Sequence, residues 1–490
     1  MKKHLGMSKI FTLALGQLGV MFMLMTLGMY TLRFFSPTEN VALPLLLPIG
    51  VIGVIQGFAL LFDALIDPWI ATVGDNSKNP KGRRIPFMRK ACIPAGIFCV
   101  LVFFVPVHSQ SWVNVVWVVA MLLLYAICRS FFDINLQALI PEIIPDTFRR
   151  ARFHTVAAIM SNIGNFLGST VPVFVAILVV SMGELLAWQI SLAVFPIIGT
   201  VLMIICAFSI NETEYVEPAV GDEERIGLWK SLRNTLKNKV FLVFMFGAVA
   251  FGFAIGIFNA ALLFVIDLLL GLEATMLTVS MLIVTVLAFI LYIPILKVIK
   301  KTGKRKLMLL SIIICGVIFL LLFFHAPISN FLGSGTVAAG GLWAGMAGAG
   351  AKVGNVVLIL IVGVLFAYPQ AAGGAVGSSM FADIAQYDNL TSGENRMGMF
   401  MAVQSIIGIL PSTLVPMIVG VSIYIGSKNS MPTEQGVRIT MIIAFVFTIA
   451  TFLLYYLYKE KKVFEVIIPA AEAAAAAEEG AIKETEAEAE

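Results

Sequence analysis

The stretch Phe58-Ala-Leu-Leu-Phe-Asp63-Ala-Leu-Ile-Asp67-Pro68-Trp69 sets two carboxylates four residues apart in a run that is otherwise almost wholly apolar from Val41 to Val73. A helix of roughly 20 apolar residues crosses the hydrocarbon core of a bilayer, so this run is long enough to span one. Residues i and i+4 share a helix face, and Asp63 and Asp67 therefore point the same way. An ionised carboxylate in hydrocarbon costs at least about 2.5–3.5 kcal/mol. Two on one stripe point to a buried cation or proton site. The alternative is a structural hydrogen-bond cluster where helices pack.

The whole chain is of the same kind. Of its 490 residues 59% are hydrophobic and 13% charged, with a mean hydropathy of +0.96. Soluble domains carry about 25% charged residues, so the composition describes an integral membrane protein. Cys92, Cys99, Cys128, Cys206 and Cys315 all lie in apolar runs without paired spacing and read as small apolar filler. His4, His108, His154 and His325 pair with no other ligand type at metal-binding spacing, which argues against metal catalysis. Nothing resembles a phosphate-binding loop, so ATP drive is not expected; no prosthetic cofactor and no nucleic-acid partner is implied. Met1-Lys-Lys-His4 leads into an apolar run from about Phe11 to Tyr30 with no small-residue cleavage site, which reads as a first membrane helix.

Twelve such runs follow one another, near 11–33, 41–71, 88–108, 112–140, 153–181, 185–209, 239–269, 274–299, 307–325, 354–381, 398–426 and 437–457. Basic residues fall in alternate loops: Lys2, Lys3 and Lys9 before the first span, Lys78 to Lys90 after the second, Arg149 to Arg152 after the fourth, Lys300 to Lys306 after the eighth. The other loops, such as His108-Ser-Gln-Ser111, carry almost none. The positive-inside rule then puts both termini in the cytoplasm. The expected organisation is a six-helix bundle over 1–210, a charged cytoplasmic linker over 211–238, a second six-helix bundle over 239–458 and an Ala/Glu-rich cytoplasmic tail over 459–490. Within the linker, Leu228-Trp229-Lys230-Ser-Leu-Arg233 has the pattern of a short interfacial helix. Gly333–Gly354 reads either as a mobile outer loop or as an early start to the tenth helix.

The two bundles echo each other. Lys81-Gly82-Arg83-Arg84 follows the second span and Gly303-Lys304-Arg305-Lys306 the eighth. Leu139-Ile-Pro-Glu142 ends the fourth span, and Met380-Phe-Ala-Asp383 the tenth, which aligns Glu142 with Asp383 and Asp133 with Gly374. Six plus six helices with a Gly-plus-basic turn between the second and third of each set is the pattern of the major facilitator fold. The expected class is thus an all-α membrane protein of twelve transmembrane helices in two six-helix pseudo-repeats, with its solute at their interface near mid-membrane.

Charge inside the membrane is concentrated in the first set. Asp63 and Asp67 lie roughly 16 and 10 Å from the inner end of the second span, and Asp133 roughly 13 Å up the fourth. Depth matching of this kind is what a shared site needs. Clustered oxygens hold a hard cation, and a shared proton relieves clustered carboxylates equally well. Arg129, one turn from Asp133, either neutralises it or holds it until cation or solute arrives. Asn135 and Gln137 on the same span, Ser161, Asn162 and Asn165 on the fifth, and Tyr368 and Gln370 on the tenth are further polar positions. Arg33, Glu184 and Asp267 sit at outer helix ends, where snorkelling explains them. The eighth span shows Tyr292-Ile-Pro294 where the second has its acids.

At these residues the chain resembles the glycoside–pentoside–hexuronide:cation symporters, the family of melibiose permease. Four stretches carry the resemblance: Asp63-Ala-Leu-Ile-Asp67-Pro68, Lys81-Gly-Arg-Arg-Ile-Pro86, Asp133 with Leu139-Ile-Pro141, and Ala382-Asp383-Ile384 to Gly393-Glu-Asn-Arg396. The resemblance implies that Asp63 and Asp67 coordinate the coupling cation and that Asp133 contacts solute hydroxyls near it. Sugar-transporting relatives have an acid where this chain has Gln17, and can have an aromatic where it has Gln137. Their helix-5 arginine falls near Ala157, and their helix-11 lysine near Ile409 or Leu410.

The sequence therefore leads to a secondary active transporter and not an enzyme, a monomer among lipids in the plasma (inner) membrane, coupling Na+ or H+ to symport of a small polar solute, a sugar or glycoside. Asp63, Asp67 and Asp133 form the expected cation site. Asp133, Arg129, Asn135, Gln137, Gln17, Asn162, Tyr368 and Gln370 are the expected solute contacts, and Asp75, Lys81, Gly82, Arg83 and Arg84 the gating loop. The rival readings are transport of an amphiphilic lipid or organic ion, and a non-transporting receptor or scaffold on the same fold.

Overall fold

The structure is a computed structural model that describes residues 6–39, 41–77, 79–80, 82–144, 147–214, 238–338, 342–392, 397–428, 431–458 and five positions between 460 and 469. The expected interfacial helix at Leu228–Arg233, Lys81, and the tail from 470 onward lie outside the described residues.

The first half contains α1 (Met7–Phe35), α2 (Ile49–Asp75), α3 (Ile85–Leu101), α4 (Trp112–Ile143), α5 (Thr147–Gly168), α6 (Val171–Met182) and α7 (Glu184–Ser209). The second contains α8 (Lys239–Phe264), which runs into a π turn over Val265–Leu269, then α9 (Met276–Thr302), α10 (Lys304–Phe323), α11 (His325–Leu332), α12 (Leu342–Ala347), α13 (Val353–Ser392), α14 (Met397–Ile425) and α15 (Glu434–Leu457). Eleven of the described segments are long and apolar enough to cross a membrane. The short α3 (17 residues), packed on α4 and α7, stands where the sequence places the third of twelve spans.

Equivalent helices keep equivalent neighbours. In the first half α1 packs on α5 and α7, α2 on α4, and α3 on α4 and α7. In the second, α8 packs on α14 and α15, α9 on α13, and α10 on α13 and α15. The basic turns repeat at atomic detail. Gly82 and Gly303 both adopt positive φ, +116° and +82°, which a side chain would strain. In the first turn the Glu212 carboxylate accepts the Arg83, Arg84 and Ile85 amides at 2.8, 2.8 and 3.0 Å. In the second, Glu460 accepts the Lys304 and Arg305 amides at 2.7 and 3.2 Å. Each acid caps the next helix at its positive end. Arg83 and Arg84 reach Glu142 at 2.5 and 2.7 Å, and Lys304 reaches Asp383 at 2.5 Å, the aligned position.

The fifth span is not one helix. Pro172 has no N–H for the Gly168 carbonyl four residues earlier, and the chain breaks between α5 and α6. Tyr30 donates to the freed Gly168 carbonyl at 2.9 Å, and Thr278 of the second half donates to the Ser169 carbonyl at 2.7 Å. Tyr30→Phe leaves a buried carbonyl unpaired and is expected to lower the unfolding free energy by about 1–2 kcal/mol. Denaturation of the purified protein in detergent measures it.

At the end away from the basic turns the halves meet closely. Gly50, Gly53 and Gly57 form one stripe of α2 that faces α14; a Cβ on Gly53 would meet the Pro416 carbonyl at 2.6 Å and the Gly420 Cα at 2.9 Å. Arg33, at the end of α1, pairs with Asp267 in the π turn, which also accepts from Thr38. Arg33 is 2% exposed. This corrects the snorkelling expected for Arg33 and Asp267: the two charges meet across the halves and are buried there. The Glu184 carboxylate accepts the Ala42 amide at 2.8 Å. The Gly-rich segment is folded over this end. The Val337 amide donates to the Ala351 carbonyl at 2.8 Å, the Glu273 amide to the Ala347 carbonyl, and α13 begins only at Val353. An early start to the tenth helix is thereby overturned.

Candidate functional site

Two features lie between α2 and its neighbours: an acid cluster against α4, and a cavity between the halves. Both use one stripe of α2. Gln56, Leu60, Asp63 and Asp67 follow the 4-3-4 spacing of a single helix face. The upper two line the cavity; the lower two carry the carboxylates.

In the cluster, Arg129 of α4 extends across to α2. Its Nη2 donates to Asp63 Oδ2, and its Nη1 to Asp133 Oδ2 at 3.3 Å. Ser130 Oγ donates to the other Asp63 oxygen at 2.7 Å. Gln17 Nε2 of α1 donates to Asp133 Oδ1 at 3.3 Å. Asp63 and Asp133 are thus both engaged by side chains of the protein. Asp67 differs: its Oδ1 is enclosed and has no hydrogen-bond partner. An ionised oxygen in such a place lacks the donors it would have in water, whereas a neutral carboxyl makes a smaller demand.

The cavity, about 730 Å³, lies between α1, α2 and α5 of one half and α8, α9, α13 and α14 of the other. Its polar groups are carboxamides and hydroxyls, with Gln56, Asn162 and Asn165 on one side and Asn259, Gln370 and Gln404 on the other. Met25, Met29, Met245, Met281, Phe251 and Phe366 supply much of the rest. No ionisable side chain lines it among the described residues. Gln56 is 5% exposed; its amide nitrogen donates to the Leu27 carbonyl at 3.0 Å and its oxygen is unpaired. A second chamber of about 630 Å³, lined by Arg33, Glu184, Asp267 and Glu273, belongs to the opposite end, beneath the Gly-rich segment.

Of the expected solute contacts, Asn162 and Gln370 line the cavity, while Asp133, Arg129 and Gln17 belong to the acid cluster beside it. Asn135 lies elsewhere: it is 1% exposed, donates to the Phe131 carbonyl and packs its oxygen against Gly74. Gln137 is exposed and does not line the cavity. Tyr368 sends its hydroxyl to the Leu307 carbonyl at 3.4 Å and is also outside the lining. Of the gating loop, Gly82, Arg83 and Arg84 form the capped turn, and the Asp75 side chain lies outside the described residues. Reasoning from sequence passed over Ser130, Gln56, Asn259 and Gln404. Lone hydroxyls and amides in apolar helices carry no signal of which face they serve.

The family of MFS/sugar transport proteins matches residues 12–459. The chain belongs to that family. Among curated proteins, the uncharacterized symporter YnaJ of Bacillus subtilis is 22% identical over 342 residues, 64% of this chain and 71% of that protein. The putative glycoside/cation symporter YagG of Escherichia coli is 22% identical over 172 residues, 35% of this chain and 37% of that protein. A further match, to an uncharacterized symporter of Synechocystis, spans about a quarter of its length (24% identity, 25% of that protein). Among solved structures, a point mutant of the nucleoside transporter NupG superposes with a TM-score of 0.61 at 12% identity, covering 92% of this chain and 99% of that one. A bacterial homologue of the human lysosomal transporter Spinster, inward-facing and unoccupied, gives 0.61 at 13%, covering 93% and 97%. These likenesses establish the major facilitator fold. The protein is an integral membrane transporter and not an enzyme.

Proposed function

We propose that this transporter is a cation-coupled symporter that takes up a small, neutral, polar solute, a sugar or glycoside, by alternating access. The observation that carries the reading is the shared stripe of α2: Gln56 and Leu60 face the cavity while Asp63 and Asp67 face the acid cluster. A change of charge at the acids acts on the helix that also contacts solute and also forms the Gly53–Gly420 seam between the halves. Solute and ion thereby bias the same rigid element, which coupling requires. Asp63, Asp67 and Asp133 are the coupling acids, with Asp67 the one whose enclosed oxygen has no donor. The amides of Asn162, Asn165 and Gln370 offer both donors and acceptors to hydroxyl groups. The basic turns lie in the cytoplasm, as do both termini, and the protein works as a monomer in the plasma (inner) membrane.

The test is uptake and counterflow in proteoliposomes over a panel of hexoses, pentoses and glycosides, with imposed pH and Na+ gradients. Saturable uptake of one of them that either gradient drives supports the proposal. Exchange of none of them, or uptake that ignores both gradients, overturns it. Once a solute is in hand, Gln370→Ala should raise its KM about tenfold, the loss of roughly one hydrogen bond. The methionine and phenylalanine lining favours one second reading, a neutral amphiphile as cargo; Met is adaptable and apolar. The absence of charge from the described lining argues against an organic ion.

A further inference from the structure

The acid cluster contains one buried cation, and the proposed coupling gives it no part. Arg129 is 8% exposed and bridges two helices, with one guanidinium nitrogen on Asp63 of α2 and the other on Asp133 of its own helix. Among the described residues, no other basic side chain pairs with these acids. From end to end α14 carries no charged residue, and α1 carries only Lys9 and Arg33, close to its two ends. The two oxygens of Asp63 are taken by Arg129 and Ser130, and those of Asp133 by Arg129 and Gln17. All four oxygens of Asp63 and Asp133 therefore already accept from protein donors, while Asp67 Oδ1 beside them has none.

A hard cation that sheds its water needs several oxygens at once. Between Asp63 and Asp133 it would meet oxygens already committed, and a like charge lying among them. An arginine fits the place because its planar fork binds two carboxylates at fixed geometry and keeps its charge at any working pH. We propose that Arg129 is the ion-specificity residue of this transporter. It is a tethered cation that fills the place a Na+ ion would take between Asp63 and Asp133, so the protein binds no Na+ there. The inference rests on reading these acids as the coupling site, and its test needs no solute.

The experiment uses the full-length protein in lipid nanodiscs, with the thermal midpoint and equilibrium binding of radioactive Na+ as readouts, NaCl being exchanged for choline chloride at constant ionic strength. The expected result is a wild type whose midpoint is the same in both salts and which binds no Na+ saturably. Arg129→Met should gain a midpoint that rises with Na+, since a ligand bound only by the folded state stabilises it. Adding Asp63→Asn to Arg129→Met should remove that gain. Arg129→Gln, which keeps a hydrogen-bonding side chain without the charge, stands in if the methionine variant does not fold. Saturable Na+ binding by wild type that Asp63→Asn abolishes would overturn the inference and leave symport standing. So would a folded Arg129 variant that ignores Na+. Failure of the symport reading itself appears elsewhere, as uptake indifferent to both pH and Na+ gradients.

Discussion

Asp67→Asn is expected to abolish gradient-driven accumulation of solute, by a factor on the order of 100 or more, and to leave an exchange activity that no longer responds to pH. The substitution fixes the side chain in a neutral form of nearly the same shape. Asp67 is the acid whose enclosed Oδ1 has no donor, while Asp63 and Asp133 are held by Arg129. The ion-bound form of the site is therefore imitated permanently, and the ion gradient has nothing left to act on. A ligand that binds two states equally shifts neither, and the same holds for an ion that has lost its carboxylate. The measurement pairs uphill uptake with equilibrium exchange in proteoliposomes over a range of pH. Accumulation equal to wild type in Asp67→Asn would remove this residue from the coupling path. Asp63→Asn should behave differently, because it also releases Arg129 from α2 and disturbs the packing of α2 on α4.

How much of this was legible in the chain depended on distance along it. The i,i+4 spacing of Asp63 and Asp67, and of Arg129 and Asp133, fixes which residues share a face, and counting from helix ends fixes a common depth. The repeat of the basic turns was legible as well, and so was the equivalence of Glu142 and Asp383, but not that these acids pair with Arg83 and Lys304. Contacts between distant segments were not. Glu212 and Glu460 cap turns more than a hundred residues away. The second arm of Arg129 reaches 66 residues back to Asp63, and Arg33 finds Asp267 234 residues on. Helical periodicity says which way a side chain leaves its own helix; it does not say which helix lies opposite. The amides show the same limit. Asn135 and Asn162 are alike in sequence terms and each donates to the carbonyl four residues back on its own helix, yet the first is buried against Gly74 and the second lines the cavity.

Asp267→Ala is expected to shift the transporter toward the conformation open at the end opposite the basic turns. Arg33 is 2% exposed, and its ion pair with Asp267 joins the end of α1 in one half to the π turn after α8 in the other. Removing one partner of a buried pair costs about 3–5 kcal/mol, because the remaining charge stays without compensation. That cost falls on the conformation in which the two halves meet. When they separate, Arg33 gains water and the penalty disappears. A difference of this size is a population change on the order of 10²–10⁴. Sided labelling reads it: with the native cysteines replaced, Ser412→Cys in the cavity should react with an impermeant maleimide from that end much faster in the Asp267→Ala background. The double variant Arg33→Met with Asp267→Leu removes both charges and should return labelling toward the wild-type rate, since an apolar pair of similar size costs the closed conformation little. If the pair were merely holding the fold together, Asp267→Ala would lower the thermal midpoint and leave the sidedness of labelling as it was.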